Sequence, residues 1–157
     1  MYELWGSGGS PFKNNGDNTL NDRGNTRVEL LGKSAEILHE LTQPPYEKTI
    51  ISWVSCTDEP SWAEECLSMF TTSDGVTTLN SIATHNQIFK ANKREHFERL
   101  KKQTGIEFSD MIFFDNQSNN INDVSKLGVH SVLCPDGMLR EIWTKGIESF
   151  QNKQVDK

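Results

Sequence analysis

Met111-Ile112-Phe113-Phe114 is a run of four large apolar residues that stops at Asp115. A run unbroken by polar alternation reads as a strand buried on both faces, the kind found in parallel sheets covered by helices. Its neighbours keep the same rhythm. Ala35, Ile37, Leu38 and Leu41 recur at helical spacing and predict a helix near 33–42, closed by Pro44 and Pro45. The β-branched and aromatic run 49–54 predicts a buried strand. Pro60 opens a helix that Trp62, Ala63, Cys66, Leu67 and Phe70 carry to about residue 70. A short strand is expected within 82–89, then a polar helix over 93–104 with Gly105 as its C-terminal glycine. Ile121, Val124 and Leu127 mark a further helix and 131–133 a further strand. Leu139, Ile142, Trp143, Gly146, Ile147 and Phe150 fall on one face of a last helix. The expected fold class is therefore α/β, a parallel sheet with helices on both faces.

The ends of the chain read differently. Residues 6–26 are rich in Gly, Asn and Ser and poor in apolar side chains, which predicts a long flexible loop, its last part turning into a short strand at 27–31. The charged tail beyond Phe150 is expected to fray. The whole reads as one domain over 1–157, with a flap and hairpin at 1–31, a core at 32–151 and a tail at 152–157.

In open parallel sheets ligands gather beyond the carboxyl ends of the strands. That rule singles out Ser55, Cys56, Thr57 and Asp58 after one strand, and Asp115 and Asn116 after another. Hydroxyls and backbone N–H groups at such a turn can bind a phosphate oxygen, or can simply cap the next helix. Asp115 can hold a hard cation such as Mg²⁺ or cap its own helix. Asp123, eight residues on, can support that acid or be a solvated carboxylate. Lys93 opens a helix, where its charge opposes the macrodipole; the placement suits an anionic partner, or a lysine lying in water. His39, His85, His96 and His130 show no metal spacing, and His96 beside Phe97 reads as a packing histidine. The glycines at 6–9 do not form a nucleotide loop.

Charge narrows the partners. Sixteen Lys and Arg against twenty-two Asp and Glu leave a formal charge of −6, which argues against a nucleic-acid module and against an anionic membrane surface. The apolar runs are far shorter than the ~20 residues of a membrane helix. Cys56, Cys66 and Cys134 form no C-x-x-C pair, so neither a disulfide framework nor structural zinc is expected, and a reducing, cytoplasmic setting is.

Taken together, Lys93-Arg94-Glu95-His96-Phe97 through Leu100, Thr104-Gly105-Ile106, Phe108-Ser109, Met111 to Asp115, Asn120-Ile121-Asn122-Asp123-Val124, Leu127-Gly128-Val129 and Gly137-Met138 resemble the magnesium-dependent phosphatase family of the haloacid dehalogenase superfamily. Asp22-Arg23-Gly24 and Ser55-Cys56-Thr57 fit its upstream pieces, and the likeness runs from about residue 2 to 151. The resemblance implies a three-layer, Rossmann-like haloacid dehalogenase fold. It implies that Ser55 hydrogen-bonds the transferring phosphoryl group, with Cys56 and Thr57 on the substrate side. Lys93 would stabilise that group, Asp115 with Asn116 would meet Mg²⁺, and Asp123 would support the metal site. Two positions depart from the family pattern: Asn116 stands where it has a second acid, and Cys56 where it has an arginine.

The largest departure is at the front. Family members open with a strand ending in D-x-D-x-T, which carries the nucleophile and the general acid/base; no D-x-D-x-T occurs in this sequence, and Met1-Tyr2-Glu3-Leu4-Trp5 looks like the flap that follows it. The first central strand is thus expected to be missing. Three readings follow. One is a phosphatase of phosphate monoesters, small phosphorylated molecules or phosphotyrosine, present here in a truncated or inactive form. Another is a non-catalytic phosphate-binding protein. The third is a generic α/β interaction module. The first accounts for most of the residues above.

Overall fold

From residue 8 on, the Gly- and Asn-rich opening is an antiparallel meander and not one long loop, and the short strand expected at 27–31 is found. The structure, a computed structural model, describes residues 8–155. The flap reading of the first five residues, and the last two residues of the tail, lie outside that range. Strands β1 (Lys13–Asn14), β2 (Thr19–Asn21) and β3 (Arg27–Glu29) pair in order. Leu20 sits opposite Val28 across β2 and β3, and both are buried with Phe12, Cys66, Phe70 and Leu79. Composition hid this because three apolar residues, all turned inward, suffice when the polar ones are bonded. Asp22 accepts from Thr26 N at 2.7 Å, Asn18 brackets the backbone of Thr71 at 2.9 Å in both directions, and Glu65 accepts from Phe12 N at 2.8 Å.

Helix α1 (Ser34–Glu40) follows, somewhat shorter than the 33–42 expected. The strand predicted over 49–54 is reduced to β4 (Val54–Ser55). Before it the pairing is irregular: Ile51 O accepts from Thr84 N at 2.8 Å, but Trp53 N donates to the Asn86 side chain at 3.0 Å and Ser52 Oγ to Thr84 O at 2.7 Å, while Ile50 faces solvent. Helix α2 (Pro60–Met69) starts on its proline as expected. Strand β5 (Gln87–Ile88) pairs with β4 in parallel.

Helix α3 (Lys93–Thr104) has the predicted bounds. Asn92 caps it by accepting from Arg94 N, and Gly105 ends it at φ 73°, a conformation that glycine adopts without steric cost. Strand β6 (Ile112–Asp115) pairs in parallel with β7 (His130–Leu133), and helix α4 (Ser118–Ser125) crosses between them. Helix α5 (Arg140–Val155) runs past Phe150, so the described part of the tail is helical and not frayed. Its Arg140 and Trp143 both reach Glu40 of α1, the indole at 3.3 Å.

The chain is thus an α/β protein. Among the described residues its parallel strands form two separate pairs, β4–β5 and β6–β7, instead of one sheet. Helix α3 joins them: its Phe97 and Leu100 share a buried cluster with Val54 of β4, Phe113 of β6, Val124 and Val129, and the Phe97 and Phe113 rings meet edge-on at 5.0 Å. No helix among the described residues is long and apolar enough to cross a membrane.

Candidate active site

Three segments distant in sequence end at one place: β4 at Ser55, β6 at Asp115, and α3 at its first residue, Lys93. A lysine at that helical position has every reason to stay in water. Instead its side chain is only 6% exposed. The Nζ donates to the carbonyl of Val54 and lies 3.8 Å from Asp115 Oδ2.

Strand geometry explains why that carbonyl is free. Trp53 O accepts from Gln87 N at 2.8 Å and Ser55 O from Phe89 N at 3.1 Å, both toward β5. Backbone groups alternate sides along a strand, so the Val54 carbonyl points to the opposite edge. An unpaired buried carbonyl is costly, and the ammonium satisfies it. Burial pushes the Lys93 pKa below its usual value; the neighbouring Asp115 and Cys56 act in the other direction. An ammonium has three donors. One goes to Val54 and one faces Asp115, and no other described residue hydrogen-bonds it.

Asp115 is held from the other side. Its Oδ1 accepts from Gln117 N at 2.8 Å and from Asn120 Nδ2 at 3.1 Å, the Asx-type bond that turns the chain from β6 into α4. The helix-start reading of this residue therefore holds, and its other oxygen faces Lys93. Cys134 is buried beside it, and that burial together with the Asp115 charge pushes its thiol up.

Ser55 is half-buried, and its hydroxyl makes no hydrogen bond to a described residue. Cys56 is exposed and lies within electrostatic reach of both Lys90 and Lys93. Thr57 turns away to the next helix, its Oγ1 accepting from Glu59 N at 3.0 Å. Asn116 is exposed beside Asp115. Asp123 does not join the group. Its Oδ2 accepts from Asn92 Nδ2 at 3.1 Å and its Oδ1 lies 3.5 Å from Lys126. The bond from Asn92 is the main reason its carboxyl lies below the usual range.

Asn92 escaped the sequence reading, whereas His96 is the packing histidine expected there. Asn92 links the start of α3 to Asp123; the available signal was an asparagine directly before a helix. His96 is fully buried, each ring nitrogen 3.0 Å from a carbonyl, those of Asn92 and Phe89, and its ring stacks on Phe89 at 4.1 Å. An open polar hollow of about 480 Å³, lined by Gln87, Phe89, Arg99 and Gln103 among others, contains none of the converging residues. Among the described residues no group of three or more His, Cys, Asp or Glu could hold a metal ion.

Comparison with known proteins gives the family. The family model described as acid phosphatase matches residues 1–153. The chain is 35% identical over 145 residues to magnesium-dependent phosphatase 1 of Homo sapiens, covering 92% of this chain and 77% of that protein. It is 28% identical over 124 residues to a HAD-like hydrolase superfamily protein of Schizosaccharomyces pombe, covering 76% and 70%.

Proposed function

Given that the chain belongs to the acid phosphatase family, within the magnesium-dependent phosphatases of the haloacid dehalogenase superfamily, we propose that the convergence of Ser55, Lys93 and Asp115 is the phosphate-holding half of its active site. One observation carries this reading. A buried ammonium with a donor to spare lies between the carbonyl preceding Ser55 and the Asp115 carboxylate. Such a cation is poorly compensated until an oxyanion arrives.

In this reading a phosphate monoester enters with its phosphoryl oxygens toward Lys93, the Ser55 hydroxyl and the backbone of Cys56 and Thr57. Lys93 neutralises negative charge as it gathers on those oxygens. Mg²⁺ sites commonly take one or two carboxylates, with water and phosphate oxygens completing the shell. Asp115 and Asn116 are hard oxygen donors at the strand end and fit one side of such a site. The ion, when bound, neutralises the phosphoryl oxygens and orients them.

Phosphoryl transfer further needs an in-line nucleophile and an acid for the leaving oxygen. The described residues at this site offer neither. We place both on a strand lying between β4 and β6, the first central strand of a three-layer Rossmann-like sheet. The edge of β4 turned away from β5, whose Val54 carbonyl goes to a side chain, fits that placement. Without such a strand the chain binds phosphate and does not turn it over, which is the non-catalytic reading of the same site. Substrates are phosphomonoesters such as phosphotyrosine or a sugar phosphate.

The test has two arms. Calorimetric titration with inorganic phosphate should show binding to the chain that Lys93→Ala abolishes. Fusion of a D-x-D-x-T strand ahead of residue 1 should add Mg²⁺-dependent release of phosphate from an aryl phosphate. A fused protein that binds Mg²⁺ and phosphate yet releases nothing would refute the catalytic reading; equal phosphate binding by the Lys93→Ala variant would refute the site.

A further inference from the structure

We infer that Asp123 is a positioning residue, holding Asn92 and through it the backbone from which Lys93 reaches the strand ends, and that it contacts neither metal nor phosphate. The inference rests on the phosphate site proposed above for its consequence, and on contacts alone for its geometry.

Asn92 is the residue immediately before Lys93 and is anchored through every polar group of its side chain. Its Oδ1 accepts from Arg94 N at 2.8 Å, which caps α3. Its Nδ2 donates to Asp123 Oδ2 at 3.1 Å, which ties the cap to α4. Its main-chain carbonyl lies 3.0 Å from His96 Nδ1, while the other nitrogen of that ring meets Phe89 O at the end of β5. The first turn of α3 is thus fastened to both strand pairs, to β5 through His96 and to the helix following β6 through Asp123.

The orientation of Asp123 excludes a direct part in the site. Its second oxygen faces Lys126 at 3.5 Å, and Arg94 is the other charge acting on it. No contact joins it to Asp115, Lys93 or Ser55 among the described residues. The bond from Asn92 is the largest influence holding its carboxyl low, which agrees with a carboxylate used as an acceptor. What Asn92 requires at position 123 is an oxygen acceptor within reach. A carboxamide supplies one as well as a carboxylate does. A metal ligand or an acid/base would instead need the charge.

That difference decides the test, made on the full chain with Asp123→Asn, Asp123→Ala, Asn92→Ala and the Asn92→Ala/Asp123→Ala double variant. Two quantities are read: affinity for inorganic phosphate by calorimetry, and the ¹H–¹⁵N signal of the Lys93 ammonium, visible while it is hydrogen-bonded away from water. Asp123→Asn should match the unaltered chain in both. Asp123→Ala and Asn92→Ala should each weaken phosphate binding by roughly three- to tenfold, the weight of one hydrogen bond, and broaden the Lys93 signal. The double variant should be no worse than Asn92→Ala alone, because that single already removes the shared link together with the cap. If Asp123→Asn loses as much affinity as Asp123→Ala with the Lys93 signal intact, or the double loses the sum, the inference is overturned. If the unaltered chain binds no phosphate while the Lys93 signal still follows Asn92 and Asp123, the proposed function falls and the positioning role stands.

Discussion

The Lys93 ammonium and the Asp115 carboxylate face each other across 3.8 Å with side chains only 6% and 11% exposed. At that depth each charge depends on the other, on the bond Lys93 donates to the Val54 carbonyl, and on those Asp115 accepts from Gln117 and Asn120. Removing one member of such a pair strands the other, a loss of about 3–5 kcal/mol when both are deeply buried.

Asp115→Ala should therefore destabilise the fold by a few kcal/mol, roughly 2–4, since its carboxylate keeps some contact with water. Urea unfolding monitored by circular dichroism measures this. A change below about 0.5 kcal/mol would mean that the two charges are already compensated by solvent.

Lys93 also makes stability depend on alkaline pH. Its folded pKa lies below its unfolded one, so over the window between them the unfolded chain binds the extra proton. Stability then rises with pH in that window, and below it the burial cost of the charge is fully present. Unfolding free energy of the unaltered chain minus that of Lys93→Met should climb as pH approaches the ordinary lysine value of 10.5. A difference that stays flat would show that Lys93 is solvated, and one that falls would show that its pairing with Asp115 outweighs burial.

Leu20→Ala probes the opening segment. Leu20 is fully buried and packed with Phe12, Val28 and Phe70. Truncation should cost about 2–5 kcal/mol in denaturant unfolding, as for other buried leucines. A loop merely lying on the surface would lose almost nothing.

Gly105→Ala isolates a backbone effect. A β-carbon there meets nothing within 4 Å, yet φ is 73°. The expected cost is about 1 kcal/mol, seen as a lower midpoint with an unchanged denaturant slope.

Legibility in the sequence followed the locality of the cause. The bounds of α3 were readable because Lys93 to Thr104 and Gly105 carry their own start and stop signals. The apolar run ending in Asp115 marked β6 for the same reason. The strand near 49–54 was overextended because its β-branched residues suit a sheet, whereas the facing chain bonds it irregularly, Thr84 through its backbone to Ile51 and Asn86 through its side chain to Trp53. Of the meander at 13–29 the last strand was readable from the turn before Arg27, while β1 and β2 were not, because their core rests on widely spaced Phe12, Leu20 and Val28. For the site, Ser55, Lys93 and Asp115 were found from strand ends and from a charge in an unfavourable place. The link from Asp123 to Asn92 was not, since it joins two helices through short polar side chains with no periodic signature.

The lysine seated against the side of β4 turned away from β5, unpaired among the described strands, bears on which chains that border will accept. An exposed strand margin normally recruits any passing extended segment, and an inward-directed charge is among the devices that keep it from doing so. Here the guard is selective: a greasy segment sliding in would smother the cation, whereas one bringing its own carboxylate would neutralise it. The choice of an admissible neighbour on that border thus turns on one nitrogen atom.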